Sequence, residues 1–177
     1  MTTSKLSELT GDYVLDTART RIGFVGRHAM ATRVRGRFDE FEGGAHLDGD
    51  NPSKSSAELT IQAKSIQTRH LWRDEHLRGK FLDVDSHPTI TFASTSVEQV
   101  GETSFKVTGD LTIRGVTKPV TVDFALTGDQ NDPSRVGLKG SVTINRMDWA
   151  VNWNAATGIL LSEKVTLEFD ATALRQS

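Results

Sequence analysis

The chain has 177 residues, with 21 Lys plus Arg against 23 Asp plus Glu and a formal net charge of -2. That length fits one domain, and the near-neutral balance excludes the general basic footprint of a nucleic-acid binder. The absence of cysteine excludes disulfides, thiolate metal sites and a thiol nucleophile, and no apolar run approaches the ~18 residues of a membrane-spanning helix. The opening MTTSKLSELTGDY has no apolar core of a signal peptide, so a cytoplasmic location is expected. Residues 1–11 read as an N-terminal tail and 12–174 as a single domain.

Taken in chain order, strands are expected near 20–28 and 33–47, where Gly43, Gly44 and a shift of parity from Phe38 to Phe41 suggest a bulge. Ala57, Leu59, Ile61 and Ala63 alternate with polar residues, the mark of a strand with one wet face. TRHLWRDEHLRGKFLDVDSHP then breaks the alternation, and the spacing predicts one short helix near 71–82 inside a long connection. Alternation returns at Ile90 and Phe92, and continues in SFKVTGDLTI, VTVDFAL, the stretch from Val136 to Ile144, and VTLEFDATA. Turn signals fall at GDNPS 49–53, VGETS 100–104, RGVTKP 114–119 and GDQNDPS 128–134. A second long connection surrounds MDWAVNWNAATGILLS. The 21 threonines suit half-exposed pleated surfaces.

About eight strands, each apolar on one face, need a cover for that face, and one short helix cannot supply it. The sheet must close on itself, and short sequential links favour an antiparallel up-and-down barrel. At eight strands the interior is either just filled or just able to hold one small ligand. The pattern itself leaves both open.

Few constellations carry chemistry. His70 and His76, six residues apart, are separated by roughly 120° on a helix, which is poor metal-ligand spacing. Asp74, Glu75, Asp83, Asp85 and His87 could add ligands, but polar caps around a short helix are the preferred reading. Arg19, Arg21, Arg27, Arg33, Arg35 and Arg37 form a run without an intervening acid. It reads as an outward stripe paired with carboxylates of neighbouring strands, or else as a patch for a phosphate, an anionic lipid surface or a partner.

HLRGKFLDVDSHPTITF at 76–92, GDLTIRGVTKPV at 109–120, INRMDW at 144–149 and LSEKVTLEF at 161–169, with YVLDTARTRIGFVGRH at 13–28 and GRFDEFEGG at 36–44, resemble the YceI-like family of polyisoprenoid-binding proteins. The resemblance covers about 12–174 and implies a lipocalin-like, all-β, eight-stranded barrel with an isoprenoid chain in an elongated apolar pore. Two departures stand out: many family members are exported, and the family's usual glycine after the INR-x-D-aromatic run is Ala150 here, implying a differently shaped loop.

The expected function is therefore non-enzymatic binding, storage or transport of a long isoprenoid lipid, with no cofactor, no metal and no nucleic acid. A transient membrane contact and a homodimer are the further partners expected. A metal- or His/Asp-dependent enzyme acting on a lipid-like substrate, and a stress-related interaction module with a filled barrel, are the alternatives. Counting by twos puts Leu111, Ile113, Val122, Phe124, Leu167 and Phe169 on the inner wall, with Phe24 and Phe92 from two other strands. Phe81, Met147, Trp149 and Trp153, from the two long connections, are expected as lid and mouth.

Overall fold

One-sided alternation produces strands that differ mainly in where they break. The computed structural model describes residues 6–28, 33–129, 132–151 and 161–176. Its strands are β1 (Gly11–Leu15), β2 (Arg21–His28), β3 (Arg33–Phe38), β4 (Phe41–Leu47), β5 (Ser56–Gln62), β6 (Ile66–Gln67), β7 (Thr89–Gln99), β8 (Ser104–Ile113), β9 (Val116–Asp129), β10 (Asp132–Asn145) and β11 (Leu161–Arg175).

The first six segments are three strands, each broken once. β1 and β2 continue one another along β11, as Leu15 pairs with Ala173 and Arg21 with Asp170. Between them Asp16 caps a 3-10 turn, its carboxylate accepting the Ala18 N–H. β3 and β4 break at Asp39 and Glu40, and β5 and β6 at the 3-10 turn Ala63–Ser65. The result is a closed eight-stranded antiparallel barrel, sealed because β1 pairs with both β4 and β11. The parity shift from Phe38 to Phe41 is the break at Asp39–Glu40, and the paired glycines do not form the expected bulge. Gly43 and Gly44 sit in regular register with Leu59 and Glu58.

The one α-helix among the described residues, α1 (Leu71–His76), runs into a π turn, Leu77–Phe81, between β6 and β7. The predicted turn at 114–119 narrows to Arg114 and Gly115, both at positive φ (51° and 77°), the requirement of a tight two-residue hairpin. Pro119 lies within β9, opposite Asp110 of β8 and beyond the part of β9 that pairs with β10. There its missing N–H breaks no ladder.

The outer face explains the threonines. Register partners Thr108 and Thr121, Thr112 and Thr117, and Thr143 and Thr166 join hydroxyls across strands at 2.8, 2.7 and 2.9 Å. The arginine run behaves as an outward stripe in part: Arg35 meets Glu168 at 3.6 Å and Arg37 meets Asp39 at 3.0 Å. Both pairs are exposed and contribute little stability.

Inside, two apolar clusters divide the barrel along its axis. The upper one gathers Phe24, Phe38, Leu77, Phe81, Leu111, Ile144 and Trp149 among others. This end carries α1, the Arg114–Gly115 turn and a 3-10 turn, Arg146–Trp149. The lower cluster includes Leu9, Tyr13, Val97, Phe105 and Leu126. Here Leu6–Leu9, assigned to the tail from sequence, forms a 3-10 turn that buries Leu9, and the Tyr13 hydroxyl donates to the Leu9 carbonyl at 2.6 Å.

Candidate functional site

The barrel is not filled to the packing density of an ordinary core. Three cavities of about 120, 100 and 110 Å3 follow one another along the barrel. The upper and middle cavities share Ile22, Leu59, Phe92, Val122 and Phe169 as walls. The middle and lower share Ala45, Ala57, Phe124, Leu138 and Ala173. Together they form a row of apolar cavities, separated by walls that include the rings of Phe92, Phe124 and Phe169.

Of the residues predicted from parity, Phe24, Phe92, Leu111, Ile113, Val122, Leu167 and Phe169 wall the upper cavity. Phe124 lies deeper, between the middle and lower cavities. The same counting would have added Ile22, Leu59, Ile61, Val142 and Ile144, which lie on the same faces of already recognised strands.

The connections obey no such count. Phe81 does close the upper cavity, together with Leu77 and Leu82 from the same segment. Met147 is not among the residues lining the upper cavity and is 43% exposed, on the 3-10 turn Arg146–Trp149. Two residues on, Trp149 is turned inward and 3% exposed. Its Nε1–H donates to the Leu111 carbonyl at 2.9 Å, so it is packed into the end of the barrel beside the pore. Trp153 lies outside the described residues.

Arg146 is the residue that parity missed and the site cannot ignore. It is 7% exposed and is the one charged side chain among the described residues lining the upper cavity. Its Nη1 donates to the Val151 carbonyl at 2.6 Å, and the guanidinium lies 5.6 Å from the Phe81 ring centroid, in cation–π range. Burial pushes its pKa down, and nearby Glu163 works against that. An arginine nevertheless keeps its charge in a protein.

The loop at Ala150 follows the 3-10 turn Arg146–Trp149. Ala150 adopts φ 57°, the left-handed conformation that favours glycine, and its carbonyl accepts from Arg114 Nη1 at 2.7 Å. A backbone shape that favours glycine is thus held here by alanine.

The histidines are dispersed. His46 meets Asp12 at 2.7 Å on the outer wall. His70 caps α1, its Nδ1 accepting the Arg73 N–H, and His76 stacks on Trp72 at 4.2 Å. Among the described residues no group of three or more His, Asp or Glu side chains could hold a metal ion.

The family model of the YceI-like domain matches residues 13–173. The chain belongs to the YceI-like family. A UPF0312 protein of Pseudomonas paraeruginosa is 37% identical over 174 residues, covering 95% of this chain and 89% of the relative. One from Pectobacterium carotovorum is 35% identical over 182 residues, covering 99% and 93%. Among solved structures, Burkholderia cenocepacia BcnA superimposes with a TM-score of 0.82 at 22% identity, covering 89% of this chain and 98% of that one. A polyisoprenoid binding domain from Saccharophagus degradans follows at 0.77 and 17%, covering 93% and 98%. These likenesses show that this YceI-like chain shares their fold.

Proposed function

We propose that this YceI-like protein is a non-enzymatic carrier or store for a long isoprenoid lipid, held in the pore. The observation that carries the reading is the row of apolar cavities. Their combined shape suits a thin, flexible, methyl-branched chain, which can pass successive constrictions that would stop a rigid ring system. β11 has 15 residues, and at ~3.3 Å per residue and a tilt of about 40° the wall is roughly 40 Å tall, enough for several isoprene units. Binding draws on apolar burial at about 25 cal/mol per Å2.

The Saccharophagus degradans neighbour, described as a polyisoprenoid binding domain, supports the same ligand class. The wall chemistry supports binding rather than catalysis. Thr91 and Arg146 are the polar side chains among the upper lining residues, and they form neither an acid/base pair nor an activated nucleophile. Loading and release would bring the barrel into transient contact with a bilayer, where such lipids reside.

The test is organic extraction of folded, purified protein followed by mass spectrometry. An isoprenoid in near-stoichiometric amount is the expected result. Folded protein that carries no lipid and takes up no polyprenol on incubation would refute the reading.

A further inference from the structure

Large apolar side chains are exposed at few described positions, and two of them are neighbours. Leu71 is 76% and Trp72 51% exposed, side by side at the start of α1. Their orientation is imposed from beneath. The buried Asp74 carboxylate accepts both the backbone N–H and the hydroxyl of Thr68, at 2.8 and 2.5 Å. That anchor, with buried Leu77, fixes the inward side of the helix and leaves Leu71, Trp72 and Glu75 on the outward side. The Trp72 ring also meets the His76 ring of the next turn, with centroids 4.2 Å apart and planes tilted by 38°.

The charges around this tip are mostly positive. Arg69 and Lys80 are exposed. Arg73 donates to the hydroxyl and carbonyl of Thr68, and Arg78 to the carbonyls of Lys64 and Ile66. None of the four is paired with a carboxylate among the described residues. Glu75 is the exposed acid of the helix, Asp74 is turned inward, and Asp83 and Asp85 come later, on the return to β7. A Trp–Leu tip on a segment that carries Arg69, Arg73, Arg78 and Lys80 matches the physics of an interfacial anchor, in which apolar groups enter the headgroup boundary and basic groups meet lipid phosphates.

We propose that the Leu71–Trp72 tip of α1 docks this barrel on an anionic lipid bilayer. The inference rests on the reading that the pore holds a membrane lipid, and it adds the point of contact. The same short segment supplies both parts: Leu71 and Trp72 face outward, while Leu77, Phe81 and Leu82 close the upper cavity. A bilayer that holds the tip therefore meets the end of the pore nearest the segment able to uncover it.

The experiment is co-sedimentation of the full chain with two kinds of vesicle, phosphatidylcholine alone and phosphatidylcholine mixed with phosphatidylglycerol. The wild-type protein should partition onto the mixed vesicles, more weakly as salt rises. The Leu71→Ser/Trp72→Ser variant should lose about tenfold or more of that partitioning. Val100→Ser, at an exposed apolar residue at the opposite end of the barrel, should change nothing. Circular dichroism confirms that all variants are folded, and since both tip residues are exposed, folding should be unaffected. Wild type that stays in the supernatant with both vesicle types, or a double variant that sediments like wild type, overturns the proposal. Extraction of the same preparations keeps the two readings apart. Co-purified isoprenoid without vesicle binding removes the docking surface alone, and vesicle binding by protein that neither yields isoprenoid on extraction nor takes up polyprenol removes the cargo alone.

Discussion

Phe24 and Gly36 face each other across β2 and β3, and the Phe24 ring occupies the space that a Cβ on residue 36 would fill. The arrangement recurs. The Phe92 ring would lie 2.5 Å from a Cβ on Gly109, and Phe124 would lie 2.6 Å from one on Gly140. Gly140 is also the register partner of Phe169, and the Phe124 and Phe169 rings meet at 5.9 Å. Each glycine lets a phenyl ring lie back against the wall instead of crossing the lumen. Inward glycines beside inward phenylalanines therefore keep open a pore that the same aromatic content would otherwise block.

Gly36→Ala is the direct test of that pairing. The new methyl overlaps Phe24, whose ring must turn into the upper cavity, so a loss of about 1–3 kcal/mol in urea unfolding is expected. Adding Phe24→Leu should recover about 1 kcal/mol or more of it, the non-additivity of groups in contact. Strictly additive losses would show that the ring and the glycine are not coupled.

Filling the pore should displace its cargo. Leu111→Trp adds bulk at a buried wall position, and overpacking of about 1–3 kcal/mol weakens polyprenol binding roughly fivefold to hundredfold. Thr112→Trp, one residue along and on the outer face, loses its hydroxyl contact with Thr117 and should leave binding within about twofold. The reverse ranking, measured by extraction or by titration of lipid-free protein, would mean that the inner and outer faces have been exchanged.

Asp74 is the anchor of the segment that closes the pore. Asp74→Ala leaves the Thr68 N–H and hydroxyl without their buried acceptor, at a cost of about 1–3 kcal/mol. The loss should appear locally, as roughly tenfold or more faster protease cleavage and hydrogen exchange within 68–82. Asp74→Asn, which keeps one acceptor oxygen, should fall between that variant and wild type.

At Ala150 the chain can be improved. A left-handed alanine costs about 1–2 kcal/mol, and glycine returns part of that in unfolded-state entropy. Ala150→Gly is expected to raise stability by about 0.5–1 kcal/mol and Tm by roughly 1–4 °C. A lower Tm in a thermal melt would place the strain elsewhere.

What the sequence determined, it determined through period two. Val122 and Phe124, Leu111 and Ile113, and Leu167 and Phe169 share a face because successive side chains of any strand alternate, and a sheet with one apolar face and no helices to cover it has to close. Tertiary structure decided whatever that alternation does not govern. The breaks at Thr17–Arg19 and Ala63–Ser65 were hidden because each preserves pairing on both sides while resetting the parity, and the one at Asp39–Glu40 showed only as the shift from Phe38 to Phe41. Met147 and Trp149 stand two residues apart in a turn, where spacing carries no facing rule, so their opposite fates waited on the carbonyl of Leu111 and the tight geometry of 146–149. Whether the interior was full or open depended on Phe24 meeting Gly36 and Phe124 meeting Gly140. Those pairs are set by the register between strands, a relation between distant segments that no local pattern encodes.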